Sequence, residues 1–446
     1  MSTLLKNAYV ATMDDADTEH DDGWILISDG MIDAVGGGTP PAADELHDLG
    51  GALVTPGLIN VHHHLFQTLT RARAQEEDLF HWLTALLPVW KGIDAEAEYA
   101  AALAGMGELA LGGCSTVFDH HYVFPRGKTG IIEAEVMAAR ELGVRIVAAR
   151  GSMDLGASDG GLAPDEIVED RDAILADTER LAALHEHGPG ARVQIAAAPC
   201  TPFTATKELM RETAALARRL GLGLHTHLAE TVDEELYCLE KYGCRPIDFL
   251  DEVGWLDHDV WCAHCVHLSD DDIARLAATG TGVAHCPTSN LRLGTGVAPV
   301  RAMLDAGVAV GLGADGSASN ERSDLCAEMH QALLVARGAG GPAALTARAA
   351  LRLATRGGAA VLGRDDLGAI EPGRCADLAV WRTDRFTFSG ADDPVAMLVL
   401  GGPYPVERLY VGGELVVHEQ RLARVNEEEI ARMHQQQARR FAGLPR

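Results

Sequence analysis

The stretch Pro56-Gly57-Leu58-Ile59-Asn60-Val61-His62-His63-His64 decides the fold. An apolar run ends in a turn and then delivers two histidines in His-x-His register. Side chains alternate between faces along a strand, so His62 and His64 point one way and His63 another. Two imidazoles converging from one strand end are half of a metal site. Taken alone, the triplet reads equally well as a solvated histidine run. The rest of the chain removes the ambiguity, because His225-Thr226-His227-Leu228-Ala229-Glu230, Cys262-Ala263-His264 and Gly313-Ala314-Asp315-Gly316 each close a later apolar segment.

Working outward, apolar and β-branched segments recur at 53–61, 116–120, 144–149, 193–198, 221–228, 260–266, 282–286 and 308–313. Helical periodicity fills most of the gaps, at 95–111, 131–142, 171–185, 207–220 and 270–278. Eight strands alternating with helices predict an α/β architecture with a parallel sheet. The count favours a closed, TIM-like (β/α)8 barrel. A doubly wound open sheet is the rival, and no Gly-x-Gly-x-x-Gly follows any strand to support it.

The chain ends read differently. Short strands broken by Gly and Asp turns fall at 3–14, 24–35 and 45–54, and again at 376–381, 407–411 and 414–419. A small β-sandwich domain formed from both termini is therefore expected. Residues 1–55 supply its first part, 56–365 form the inserted barrel, and 366–446 supply the second part plus a charged helix at 426–441. The Gly-, Ser- and Asp-rich segment 156–163 is the expected mobile loop over the site.

Composition narrows the partners. The chain has 446 residues, enough for one large domain and a smaller one, with 47% apolar and 23% charged residues, as in an ordinary globular enzyme. A formal net charge of −28 repels nucleic acid and anionic membrane surfaces, so neither is an expected partner. The start, Met1-Ser2-Thr3-Leu4-Leu5-Lys6, lacks a basic segment followed by a long apolar core. Nine scattered cysteines suit reduced thiols, and a cytoplasmic location is expected. Cys262-x-x-Cys265 has no second pair, so it reads as buried structure rather than a zinc or redox motif. A homo-oligomer, dimer or larger, is expected.

The chemistry follows from where the polar residues fall. Functional groups of a parallel barrel collect at the C-terminal ends of its strands. The first candidate strand delivers His62 and His64, the fifth His227, the sixth His264 and the eighth Asp315. A lone histidine there reads best as a satisfied core residue. Five groups from four strands do not, because clustered imidazoles repel when protonated, and a divalent metal resolves the clash. His62, His64, His227 and Asp315 are the expected ligands, leaving a position open as in catalytic sites. Such a metal lowers the pKa of bound water toward ~7 and yields hydroxide at neutral pH. Glu230 and Asp315 are the expected proton carriers, and His264 the group that polarises the substrate. Glu230 also reads as a cap of the following helix.

These motifs resemble the amidohydrolase superfamily, in its cytosine/guanine deaminase-like and chlorohydrolase-like branch. The likeness rests on Pro56–Asn60 before the His-x-His, His227-x-x-Glu230, Ala263-His264-Cys265-Val266-His267, His285-Cys286-Pro287-Thr288-Ser289-Asn290, Gly313-Ala314-Asp315-Gly316-Ser317-Ala318-Ser319-Asn320 and Ala376-Asp377-Leu378-Ala379-Val380. It implies a hydrolase acting on C–N bonds of cyclic amidines, with one divalent metal per chain, zinc first and iron second. Residues matching Glu230 and His264 handle protons on the substrate. No lysine stands at the fourth strand end, where Pro199-Cys200 lie, so a carbamylated two-metal centre is not expected.

Further segments, His62–Ala72, Asp119-His120-His121, Arg150-Gly151-Ser152-Met153 and Asp159-Gly160-Gly161-Leu162, are similar to bacterial 8-oxoguanine deaminases. The implied reaction is 8-oxoguanine to urate plus ammonia, the activated water attacking the amino-bearing ring carbon. Triazine and other heterocycle hydrolases, and pterin or guanine deaminases, are the alternatives. Gln67 can read an amide edge of a flat small-molecule heterocycle, or cap a short helix. Trp82, with Trp90 and Tyr122, offers a stacking face, and His121 and Arg150 are further expected ring contacts.

Overall fold

The sequence reading treats 53–61 as one strand, and the chain makes two of it. In the computed structural model, which describes residues 1–443, Glu45–Pro56 belongs to one sheet and Leu58–Asn60 to another. The switch occurs at a single residue. The Gly57 amide donates to Asp377 O at 2.8 Å, and the next amide, Leu58, donates to Gly113 O at 2.9 Å on the other sheet. A Cβ on Gly57 would stand 2.5 Å from Ser115 Oγ, so only glycine passes through this junction.

The first sheet is built from both chain ends. Its strands are β1 (Ser2–Ala11), β2 (Glu19–Ser28), β3 (Met31–Gly37) and β4 (Glu45–Pro56). The second chain end adds strands that we number after the barrel's, β13 (Leu378–Trp381), β14 (Arg408–Val411), β15 (Glu414–His418) and β16 (Arg421–Leu422). The order is β16-β15-β14-β13-β4-β1-β2-β3, so β4 and β13 splice the two chain ends together. Leu5, Val10, Ile25, Val54, Leu378 and Tyr410 pack into a separate core of this sheet.

Between them lies a second eight-stranded sheet, all parallel and in sequence order. Its strands are β5 (Leu58–Asn60), β6 (Cys114–His121), β7 (Arg145–Ser152), β8 (Val193–Pro199), β9 (Gly223–Leu228), β10 (Val260–His264), β11 (Gly282–His285) and β12 (Val310–Leu312). The ring closes between its first and last members. The Val61 amide donates to Leu312 O and the Asp315 amide to His62 O, both at 3.0 Å, and the Ala314 amide donates to the Asn60 side chain at 2.8 Å. This is the TIM-like barrel.

Inside the ring, Ile59, Val61, Phe118, Val147, Ala149, Ala196, Ala198, Trp261, Ala263 and Ala284 make one buried cluster, the floor under the site. Along β6, β7 and β8 these are alternate residues, so their neighbours within those strands face the outer helices. The helices carry clear start and stop signals. Lys207–Leu220 begins at Thr206, whose hydroxyl accepts from the Leu209 amide, buries Leu209, Met210, Thr213, Ala214 and Ala217, and ends at Gly221 with φ +68°.

Segment 156–163 folds back on itself. Gly156 bridges to Ala163, and Asp165 accepts from the amide and hydroxyl of Ser158. All nine cysteines are free, and Cys262 and Cys265 are buried. Among the described residues, no helix is long and apolar enough to cross a membrane.

Candidate active site

Three imidazoles and one carboxylate meet at the C-terminal mouth of the barrel. His62 Nε2 and His64 Nε2 stand 3.2 and 3.3 Å from Asp315 Oδ1, and His227 Nε2 stands 3.3 Å from His64 Nε2. Each ring is fixed by its other nitrogen. His64 Nδ1 lies 2.7 Å from His120 O and His227 Nδ1 lies 2.8 Å from Cys200 O. A carbonyl only accepts, so both Nδ1 atoms carry the proton and both Nε2 lone pairs point inward. His62 Nδ1 meets His225 Nε2 at 2.9 Å, and His225 Nδ1 meets Trp261 O at 2.9 Å, so the same tautomer runs down this pair.

Three inward lone pairs facing one carboxylate oxygen repel unless a cation lies between them. His62 Nε2 is buried and has no hydrogen-bond partner. Burial lowers His62 to about 3 and holds His227 well below the usual imidazole range, so both rings stay neutral and ready to ligate. Ligands ~2.1 Å from one ion and about 90–110° apart stand ~3.0–3.4 Å from each other, which is the spacing found here. The donor set fits a divalent metal. The backbone bearing it is held in unusual conformations, with Ala229, His264, Cys265 and Asp315 at φ +49°, +73°, +51° and +62°. Such residues past the ends of β9, β10 and β12 turn side chains inward that an extended strand would carry past the mouth.

Two further groups stand beside this set. His264 Nε2 lies 3.6 Å from Glu230 Oε2 and 4.0 Å from Asp315 Oδ2, while its Nδ1 meets Asn290 Oδ1 at 2.9 Å. Asp315 Oδ2 accepts from Ser289 Oγ at 2.5 Å and Ser319 Oγ at 3.1 Å. Glu230 is buried, and burial, with the Asp315 charge behind it, pushes its carboxyl well above the ordinary carboxylate range. It is not a helix cap. Thr231 caps the helix Val232–Tyr242, and Glu234 reaches back to accept from the Ala229 and Glu230 amides at 3.0 and 2.9 Å.

His64, His227, Glu230, His264 and Asp315 line a cavity whose remaining walls are mostly apolar, including Leu79, Trp82, Leu83, Met153, Phe203 and Leu293. A concave apolar site with few directed polar groups is the usual form of a small-molecule pocket.

The model of the amidohydrolase family matches residues 53–416. The chain belongs to the amidohydrolase family. It is 46% identical over 397 residues to an 8-oxoguanine deaminase of Pseudomonas aeruginosa, covering 88% of each chain. It is 38% identical to an isoxanthopterin deaminase of an unknown prokaryote, covering 96% of this chain and 95% of that one. An atrazine chlorohydrolase of Arthrobacter aurescens TC1, solved with zinc, superposes with a TM-score of 0.93 at 36% identity, over 98% of this chain and all of the other. The family is metal-dependent, and this member is a hydrolase acting on C–N bonds.

Amidohydrolase barrels read their substrates from the mouth, and the expected contact residues divide there. Gln67 lies on the short 3-10 helix Leu65–Thr70 and lines the cavity. Its Nε2 donates to Tyr122 Oη at 3.2 Å and its buried Oε1 has no partner. Trp82 also lines the cavity and donates through Nε1 to Ala318 O at 3.0 Å. His121 and Arg150 do not reach it. Phe118 of β6 and Val147 and Ala149 of β7 face the ring interior, so His121 and Arg150, an odd number of residues on, face outward. Arg150 is instead held by Glu169 and Asp177 and covers the Phe124 ring, and His121 lies against Glu98 and Glu135. Of the other aromatics, Tyr122 lines the cavity, while Trp90 lies behind it and donates to Thr70 Oγ1. Glu234 escaped the sequence reading, although Thr231-x-x-Glu234 is a capping-box signature directly after Glu230.

Proposed function

We propose that this amidohydrolase is a hydrolytic deaminase of a neutral, flat, purine-like heterocycle, with 8-oxoguanine, giving urate and ammonia, as its substrate. The observation that carries the reading is Glu230: a buried carboxyl, raised by its surroundings, beside His264 and facing the open side of the His62–His64–His227–Asp315 set. One zinc ion held by those four residues would supply an activated water there. Glu230, biased toward its protonated form by burial and the Asp315 charge, gives its proton to the ring nitrogen beside the amino-bearing carbon and makes that carbon electrophilic. Asp315 Oδ2, held in place by Ser289 and Ser319, takes the proton of the attacking water. His264, oriented by Asn290, faces the same oxygen and polarises the departing amino group. Water adds, the proton taken up by Asp315 passes to the amino nitrogen, and the C–N bond breaks to release ammonia; the ring nitrogen keeps the proton it received, and the hydroxyl proton of the adduct returns to Glu230 as the carbonyl forms.

Substrate selection rests on the apolar walls and Gln67. The unpartnered Gln67 Oε1 offers an acceptor to a ring N–H, and Trp82 and Tyr122 flank the ring. Among the described residues, no lysine or arginine lines the cavity, which suits an uncharged base rather than a nucleotide. The 46% identical deaminase of P. aeruginosa supports the choice of 8-oxoguanine. Ammonia release measured across oxopurines, pterins and triazines tests it. The highest kcat/KM is expected with 8-oxoguanine; a triazine or isoxanthopterin preferred by tenfold or more would reassign the substrate.

A further inference from the structure

Outside the mouth, on the opposite face of β6, lies a second set of ligand-type side chains. Asp119 and His121 project from β6, Glu98 comes from the helix Ala95–Leu111, and Glu135 from the helix Ile131–Leu142. None of the four has any solvent exposure. One ligand atom from each lies within 4.8 Å of all the others. His121 Nδ1 is 3.2 Å from Glu98 Oε2 and 3.5 Å from Glu135 Oε1.

These contacts are not hydrogen bonds. His121 Nδ1, both oxygens of Glu98, both of Glu135 and Oδ2 of Asp119 are buried and accept from no N–H or hydroxyl, while the Asp119 and Glu135 carboxyls lie close enough to share a proton. His121 Nε2 meets Val123 O at 2.8 Å, so that nitrogen carries a proton and Nδ1 is the atom turned toward the carboxylates. Asp119 Oδ1 alone is engaged, accepting from the Leu65 amide at 2.6 Å. The His62–His64–His227–Asp315 set shows the same signature: ligand atoms 3.2–3.3 Å apart, no hydrogen bond between His62 and Asp315, and imidazoles held by backbone carbonyls. An imidazole held through its outer nitrogen is the ordinary support of a metal-bound histidine.

Three carboxylates gathered in a dry interior require compensation by protons or by a cation. We propose that Glu98, Asp119, His121 and Glu135 bind a second divalent cation, in the wall of the barrel, of the class that accepts carboxylate and imidazole together: zinc, manganese or iron(II). It takes no part in the chemistry, since Asp119 and His121 face away from the cavity. Its role is structural. It ties two helices to β6 and, through Asp119, to Leu65, the residue after His64.

The test uses wild-type enzyme produced separately in zinc-, manganese- and iron-supplemented medium and purified without chelator. Anomalous diffraction at each metal's edge is expected to show a peak between the four side chains in at least one preparation. Elemental analysis is expected to give two ions per chain there, falling to one in Glu135→Gln. No peak within the cluster in any of the three preparations overturns the proposal and leaves shared protons as the compensation. A peak in the cluster with none between His62, His64, His227 and Asp315 would sink the proposed catalytic centre and leave this one standing. If Glu135→Gln fails to fold, the wild-type crystals still decide.

Discussion

Replacing Glu230 by glutamine separates proton transfer from everything else the side chain does. The amide has the same size, so the cavity keeps its shape beside Leu293 and His264. What disappears is the carboxyl that burial and the Asp315 charge bias toward its protonated form. A positioned general acid contributes ~10²–10⁴-fold in rate, or about 3–5 kcal/mol of barrier. The loss is expected in kcat, with KM little changed, because Gln67, Trp82 and Tyr122 still flank the substrate. Stability should move the other way. Burial and the Asp315 charge penalise an ionised Glu230, and a neutral amide escapes both, so Tm is expected to stay level or rise. Steady-state ammonia release, elemental analysis and a thermal melt on one preparation read all three quantities. Wild-type turnover, or loss of the metal, would refute the assignment: Glu230 would then be a bystander or a ligand.

The raised carboxyl also sets a pH limit. If protonated Glu230 is the active form, kcat/KM falls as pH rises through its elevated pKa, and this basic limb vanishes from the residual rate of Glu230→Gln. His64→Ala and Asp315→Asn should each cost one equivalent of bound metal by elemental analysis, because both residues face the same point. Arg150→Ala should leave KM unchanged while lowering stability by ~1–3 kcal/mol, since the half-buried Glu169 and Asp177 lose their charged donor; a raised KM would return Arg150 to the cavity. Gly316→Ala would place a Cβ 2.0 Å from Gln67 Oε1, so KM should rise at least tenfold; unchanged kinetics would remove Gln67 from substrate recognition.

The barrel and the convergence of His62, His64, His227 and Asp315 were legible because both are written in local signals. His62 and His64 are two apart, Glu230 is three beyond His227, and each follows an apolar run. What failed depended on parity and on distant neighbours. His121 and Arg150 lie at strand ends among polar residues, and only the inward placement of Phe118, Val147 and Ala149 shows that they face out. Counting alternate residues back from the apolar interior would have settled both. The break at Gly57 leaves no trace in hydropathy, because 53–56 and 58–61 are equally buried in different cores. The apolar cavity wall comes from residues scattered between Leu79 and Leu293, whose convergence is a property of the ring alone.

The seam of that ring has a consequence for how the enzyme comes into being. His62 and Asp315 are joined by a backbone hydrogen bond across 253 positions of chain (315 − 62), between the first barrel strand and the last. A chain synthesised only as far as β11 cannot therefore assemble the four-residue set, because Asp315 has not yet been made. Ring closure is a long-range contact of the kind that slows folding, and it brings His62, His64 and Asp315 together. An ion held by the proposed set would bind the closed ring and not the open chain, and so would act as a clasp on that seam. A chain cut within one of the outer loops could regain activity only when its two pieces dock. Recovery of activity then reports directly on whether the circle has been completed.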